Sequence, residues 1–197
     1  KVVVIQNTLG YPCDIEAISK ICKKNNLILI EDLAHCVGTK YLNGKETGTV
    51  GDFVVLSFSQ DKVIDAVSGG ALIDRRYARH SGESRHIGTS PESLREINIK
   101  HILKDRFYPF LTYKIRFFYN FGLGKPLHFL LKNFDLLSKP MNENLYDLYS
   151  LPNWYCNLAL GQFNNLNLQL KHRRKIAQIY AYKLDKKVLH EKIVNKI

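Results

Sequence analysis

The stretch Phe53-Val-Val-Leu-Ser-Phe-Ser-Gln-Asp-Lys62-Val-Ile-Asp-Ala-Val-Ser-Gly69-Gly70-Ala-Leu-Ile73 decides how the chain is read. Its two apolar runs, 53–58 and 71–73, have the branched and aromatic composition of short buried strands. The polar segment between them holds a single lysine, Lys62. It closes on Gly69-Gly70, a pair that permits a turn or a close backbone approach. A loop lysine taken at random is a solvated one. A lysine just past a buried strand has its backbone fixed by the sheet, which suits nucleophilic chemistry.

Outward from that stretch, residues 27–30 are a second apolar run, and it ends in Glu31-Asp32-Leu33-Ala34-His35. An acid at the carboxyl end of a parallel strand faces the ligand crevice of an open α/β sheet. A carboxylate, an imidazole and an amine are therefore expected from neighbouring strand ends. That set suits pyridoxal phosphate, with Lys62 as the covalent anchor and Asp32 at the pyridine nitrogen. Further upstream, residues 2–5 read as a strand and 7–12 as a turn. Asp14 caps a helix through about residue 25, with Ile15, Ile18, Ile21 and Cys22 on one face. Strand, helix and strand make a βαβ unit with a parallel crossover. Asn43-Gly44 predicts a hairpin-like turn between 39–41 and 45–46.

Gly10-x-Pro12-x-Asp14, Glu31-Asp32-x-Ala34-His35, Gly51-Asp52, Ser57-Phe58-x-x-x-Lys62 and Gly69-Gly70 follow one another in an order that resembles the DegT/DnrJ/StrS family. These are pyridoxal-phosphate enzymes that aminate sugar nucleotides. Asp61-Lys62-Val63-Ile64 before Ser68-Gly69-Gly70 is similar to one branch in particular. The resemblance covers residues 2–76. It resumes faintly over 158–180, where Ala159-Leu-Gly161-Gln162 and Arg173-Arg174 are similar to the family's dimer-side helix.

The resemblance implies an α/β fold: part of the large domain of the aspartate-aminotransferase (type I) fold, a mostly parallel sheet flanked by helices. It implies pyridoxal 5'-phosphate as cofactor, with Lys62 as its anchor and the group that moves the proton between substrate and cofactor. Asp32 would keep the ring nitrogen protonated, and Ser57 would bind the cofactor phosphate, Ser59 being a weaker candidate on the same side. His35 stands where the family usually has Gln and would meet the ring; both side chains donate hydrogen bonds. The alternative for His35 is a histidine packed under a helix. Glu31 is expected to pair structurally. A related group that deoxygenates sugars carries His at the lysine position, so Lys62 argues for transamination.

The expected partners are a nucleotide-linked keto sugar, an amino-acid donor (glutamate in most relatives) and a second copy of the chain in a homodimer with a shared active site. The expected setting is surface polysaccharide or related glycan synthesis, in the cytoplasm or at the inner face of the membrane. The family reaches a neighbouring subunit's cofactor through an asparagine near Ser150 and Asn153, and neither residue is assigned. The resemblance also implies an internal piece, with the phosphate-binding loop in front and most of a small domain behind.

Composition fits a globular chain: 197 residues, 45% hydrophobic, 24% charged. Four cysteines lack any C-x-x-C or zinc spacing and read as reduced thiols. Cys36 beside His35 is not expected to form a nucleophile pair, since adjacent side chains diverge. Residues 1–74 carry 7 Lys+Arg and 9 Asp+Glu, net −2; residues 75–197 carry 22 and 9, net +13. Such a basic half can meet a nucleotide diphosphate, an anionic membrane or nucleic acid, although no nucleic-acid-binding signature accompanies it.

Three segments follow: 1–105 as a cofactor-binding portion, 106–149 as a helical basic and aromatic insertion, and 150–197 as a helix leading toward a small domain. The aromatic run over 106–137 is too interrupted to span a bilayer. It can pack on another domain or subunit, the reading given precedence, or lie in a membrane interface. The competing accounts of the whole chain are a catalytically silent homologue that binds a nucleotide sugar and a basic membrane- or polymer-binding module.

Overall fold

The computed structural model describes residues 1–76, 97–138 and 150–184. Those parts of the three expected segments that fall in 77–96, 139–149 and 185–197 lie outside the described residues. The N-terminal part is a four-stranded sheet of β1 (Val2–Gln6), β2 (Ile28–Asp32), β3 (Phe53–Ser57) and β4 (Gly70–Asp74), in that spatial order. β1 and β2 pair in parallel, as do β2 and β3; β4 returns antiparallel to β3.

The β1–β2 crossover is helix α1 (Ile15–Lys24). Asp14 caps it by accepting from the Ala17 backbone N–H at 3.0 Å. Glu16 in its first turn and Lys23 and Lys24 in its last match the helix dipole. Ile15 and Cys22 are buried against Ile5, Leu29 and Tyr41. Burying a side chain the size of Ile15 stabilises the packing by about 1.5–3 kcal/mol.

Because side chains alternate along a strand, residues 3, 5, 29, 31, 54 and 56 share one face. That face carries the core, which continues through Leu33, Cys36, Val37, Val54, Phe58, Ile64, Ala66 and Ala159. The opposite face carries Val2, Val4 and Leu72, which are 53%, 63% and 47% exposed. The expectation of a fully buried first strand therefore holds for one face only: α1 and the segments after β2 and β3 all pack on the same side.

Four helices follow the sheet among the described residues. α2 spans Ile99–Tyr119 and α3 spans Gly124–Asn133, joined by a tight turn in which Gly122 has φ +72°. α4 spans Asn153–Asn164 and α5 spans Leu166–Lys183. α2 thus begins within the segment read from sequence as cofactor-binding.

The helix expected over 150–197 is broken at Asn165, where α4 ends and α5 follows. There the side-chain amide donates to the Gly161 carbonyl at 3.0 Å and the backbone N–H bonds Gln162. An asparagine that satisfies the backbone locally ends a helix more readily than it continues one.

α2 is fastened to α4 by a buried carboxylate. Asp105 is fully buried and accepts from the Tyr155 hydroxyl at 2.7 Å and from the Ser138 hydroxyl. His101 Nε2 lies 3.8 Å from it one helical turn away. Burial, and after it the bond to Asp105, pushes the Tyr155 phenol above its ordinary pKa. The tie thus holds with Tyr155 neutral and donating.

Candidate active site

β1, β2 and β3 run parallel, so their carboxyl ends lie together at one edge of the sheet, where ligands bind in open α/β folds. Gln6, Asp32 and Ser57 are the last residues of the three strands. The register sets Gln6 opposite Asp32 and Asp32 opposite Val55, two residues before Ser57. Alternation then puts Gln6, Asp32 and Ser57 on one face. It is the face away from the core, so these polar groups are open to a ligand.

Asp32 is half-buried and held on both sides. Its Oδ2 accepts from Gln6 Nε2 at 2.9 Å and its Oδ1 from the Ala34 N–H at 2.9 Å. A carboxylate oxygen has two lone pairs, so each keeps acceptor capacity for a donor on a ligand. Gln6 was not singled out from the sequence. Its place beside Asp32 follows from the β1–β2 register, which the sequence does not print.

Glu31 points the other way and is fully buried. It accepts from the Tyr41 hydroxyl at 2.6 Å, from the Gly48 and Val50 N–H groups at 2.6 and 2.8 Å, and from the Gly51 N–H. One carboxylate therefore pins the whole 41–51 loop to β2. Burial, then the bond to Glu31, pushes the Tyr41 phenol well above its ordinary pKa.

Lys62 sits in the segment between β3 and β4, anchored at both ends by one residue. Phe58 donates its N–H to the Gly69 carbonyl at 2.8 Å and accepts from the Ala66 N–H at 2.9 Å. Ile64 and Ala66 are fully buried beneath the loop. Asp61 and Val67 have φ +72° and +71°. A branched residue in that region is strained, and such strain persists only where surrounding packing fixes it. Gly69 and Gly70 are required by close approach. A Cβ on Gly69, φ +99°, would lie 2.4 Å from the Leu151 side chain, and one on Gly70 would lie 2.5 Å from the Leu56 carbonyl oxygen.

The lysine side chain is 16% exposed. Its Nζ lies 3.2 Å from His35 Nε2 and 4.0 Å from a carboxylate oxygen of Asp61. An ammonium donating to the imidazole lone pair, or an N–H of the imidazole donating to a neutral amine, satisfies the same geometry. His35 is exposed, three residues after Asp32, and is not packed under a helix. Ser57 Oγ and Ser59 Oγ are 3.1 Å apart, so two small hydroxyls adjoin at the end of β3.

Cys36 is 1% exposed, its Sγ donates to the Asp32 carbonyl at 3.6 Å, and burial pushes its thiol up to about 11. It faces the core while His35 faces out. Asn153 opens α4 and Leu151 packs on Gly69, which brings residues 150–153 beside the glycine pair. Chemically the set offers a nucleophilic amine with a proton partner, an anchored carboxylate and paired hydroxyl donors.

Residues 1–95 match the DegT/DnrJ/EryC1/StrS aminotransferase family. The chain is 40% identical over 73 residues to GDP-perosamine synthase of Escherichia coli O157:H7, a match covering 37% of this chain and 20% of that protein. It is 24% identical over 177 residues to UDP-4-amino-4,6-dideoxy-N-acetyl-beta-L-altrosamine transaminase of Campylobacter jejuni, covering 90% of this chain and 36% of the relative. The structure of Helicobacter pylori PseC, an aminotransferase involved in the biosynthesis of pseudoaminic acid, aligns with TM-score 0.51 at 21% identity over 94% of this chain and 39% of that one. That likeness gives the fold: the chain carries part of the type I aminotransferase architecture. It spans about a fifth of the length of GDP-perosamine synthase.

Proposed function

We propose that this chain, whose residues 1–95 match the DegT/DnrJ/EryC1/StrS aminotransferase family, serves a pyridoxal-phosphate-dependent transfer of an amino group from an amino acid, glutamate, to a nucleotide-linked keto sugar. The observation that carries the reading is Lys62 Nζ at 3.2 Å from His35 Nε2, on a packed loop beside the strand end that presents Asp32. The donor set fits the cofactor: an amine for covalent attachment, an acid with spare lone pairs for a pyridinium N–H, and two hydroxyls for a phosphate. When bound, the cofactor supplies an electron sink for the carbon that gains or loses the amine.

The residues divide the remaining work. Lys62 holds the cofactor and, once released, carries the proton to and from the reacting carbon. His35 keeps the amine oriented and shares its proton. Asp32, fixed by Gln6 and Ala34, holds the ring nitrogen in its protonated form through a charge-assisted bond. Ser57, with Ser59 beside it, donates to the phosphate. The sugar product would enter surface glycan synthesis in the cytoplasm, and the working form would be a homodimer.

The test uses the full-length protein loaded with pyridoxal phosphate. Glutamate should shift its visible absorbance, and a nucleotide-linked 4-keto sugar should restore it. A protein whose spectrum does not respond to any amino acid supports the silent-homologue account instead.

A further inference from the structure

We propose that the α2–α3 hairpin docks the protein on the surface of an anionic lipid bilayer. Along α2 and the turn after it, Ile99, Leu103, Phe107, Phe110, Phe117 and Phe121 recur at three-, four- and seven-residue spacings. They are therefore one stripe of the helix. Each is between 44% and 65% exposed. The opposite side of the helix carries the buried Asp105 and Ile115, so the packed face is already used and the stripe is a second face that stays exposed. Phe129 and Phe134 of the α3 limb are each 66% exposed and extend the apolar surface. Between stripe and limb runs a groove of about 430 Å³, lined by Leu103, Phe107, Phe110, Leu111 and Leu136 with Lys100 and Lys104 at its rim. Solvated single chains rarely leave so continuous an apolar surface without an occupant.

Charge selects the occupant. Residues 99–135 hold seven Lys+Arg and two Asp, a net of +5. Of the two acids, Asp105 is buried in the tie to α4 and Asp135 is paired with Lys104. Lys100 and Lys114 border the stripe and are exposed. A second copy of the same hairpin would bring like charge against like, whereas anionic headgroups complement it.

Aromatic side chains beside basic ones suit the interfacial zone, where rings sit at headgroup depth and lysine stems reach outward. No described helix is long and apolar enough to cross a membrane. The hairpin, about 30 Å long along the 21 residues of α2, would therefore lie in the interface plane.

The proposal is independent of the catalytic reading, because its readout is binding alone. The full-length protein is co-sedimented with phosphatidylcholine vesicles, with and without phosphatidylglycerol, at low and high salt. The expected result is binding to the anionic vesicles only, reduced by salt.

Two exposed-residue variants, each checked for native circular dichroism, accompany it. Lys100→Gln/Lys114→Gln should weaken binding about thirtyfold, at roughly a kilocalorie per basic residue. Phe107→Ser/Phe117→Ser/Phe121→Ser should weaken it at least about tenfold. Wild-type protein that stays in solution with anionic vesicles at low salt overturns the proposal. So does binding that neither variant alters. Self-association without vesicle binding, abolished by the serine variant, would instead assign the stripe to a second copy.

Discussion

Glu31 and Asp32 are neighbours on one strand, and alternation sends one into the core and the other to the open face. The two acids should therefore fail differently. Glu31→Gln puts an amide where three N–H groups and a phenol all donate, and should cost about 2–4 kcal/mol of stability, read from denaturant midpoints. Asp32→Asn should leave the midpoint nearly unchanged and lower kcat/KM by about 10² or more. His35→Gln replaces one hydrogen-bonding side chain by another, and should keep activity within about tenfold of wild type while shifting its pH profile.

Cys36 gives a stability prediction with a definite sign. Its folded-state pKa is raised to about 11 by burial, so the neutral thiol is what folding favours. Its contribution is complete below the ordinary thiol value of about 8.5 and is lost as pH rises from there through about 11. Thermal unfolding should thus show a falling midpoint across that window, and Cys36→Ala should flatten the fall. These residue roles were partly legible. Asp32, Lys62 and His35 are read from the ends of apolar runs. The partnership of Asp32 with Gln6 needed the strand register, which no local pattern contains.

At the scale of elements, the loop carrying Lys62 is only as rigid as its closure. Gly70→Ala drives a methyl against the Leu56 carbonyl oxygen. It should destabilise the β3–β4 pair by about 1–3 kcal/mol, seen as faster amide exchange in β4. The presence and order of β1 to β4 and α1 were readable because composition, capping by Asp14 and turn residues agree, but β2 runs two residues past its apolar run, through Asp32. The division of the C-terminal helix into α4 and α5 was not readable, because it depends on a side-chain bond from Asn165 to Gly161. Nor was the Asp105–Tyr155 tie, whose partners are fifty residues apart. Tyr155→Phe would leave a buried carboxylate short of a donor and should loosen α2 from α4, lowering stability by about 1–3 kcal/mol.

Across the whole molecule, the fold presents three surfaces with different tasks. The strand ends carry the proposed chemistry, the covered sheet face holds the core, and the aromatic hairpin is left exposed. The mixture of charge and aromatic residues over 106–137 was visible in the sequence. Its arrangement as one exposed stripe was not, because Ile115 and Phe117 are equally apolar and only packing decides which is covered. The open sheet face with Val2, Val4 and Leu72 was likewise hidden, since a strand covered on one side and one covered on both can share a composition.

The proposed chemistry depends on the amine of Lys62 being the point of cofactor attachment. The direct measurement is borohydride reduction of the full-length protein loaded with pyridoxal phosphate, followed by peptide mass mapping. The account predicts a reduced cofactor adduct on Lys62, absent from Lys62→Ala and weakened in occupancy by Asp32→Asn. An adduct spread over several lysines, or one that persists unchanged in Lys62→Ala, would contradict it.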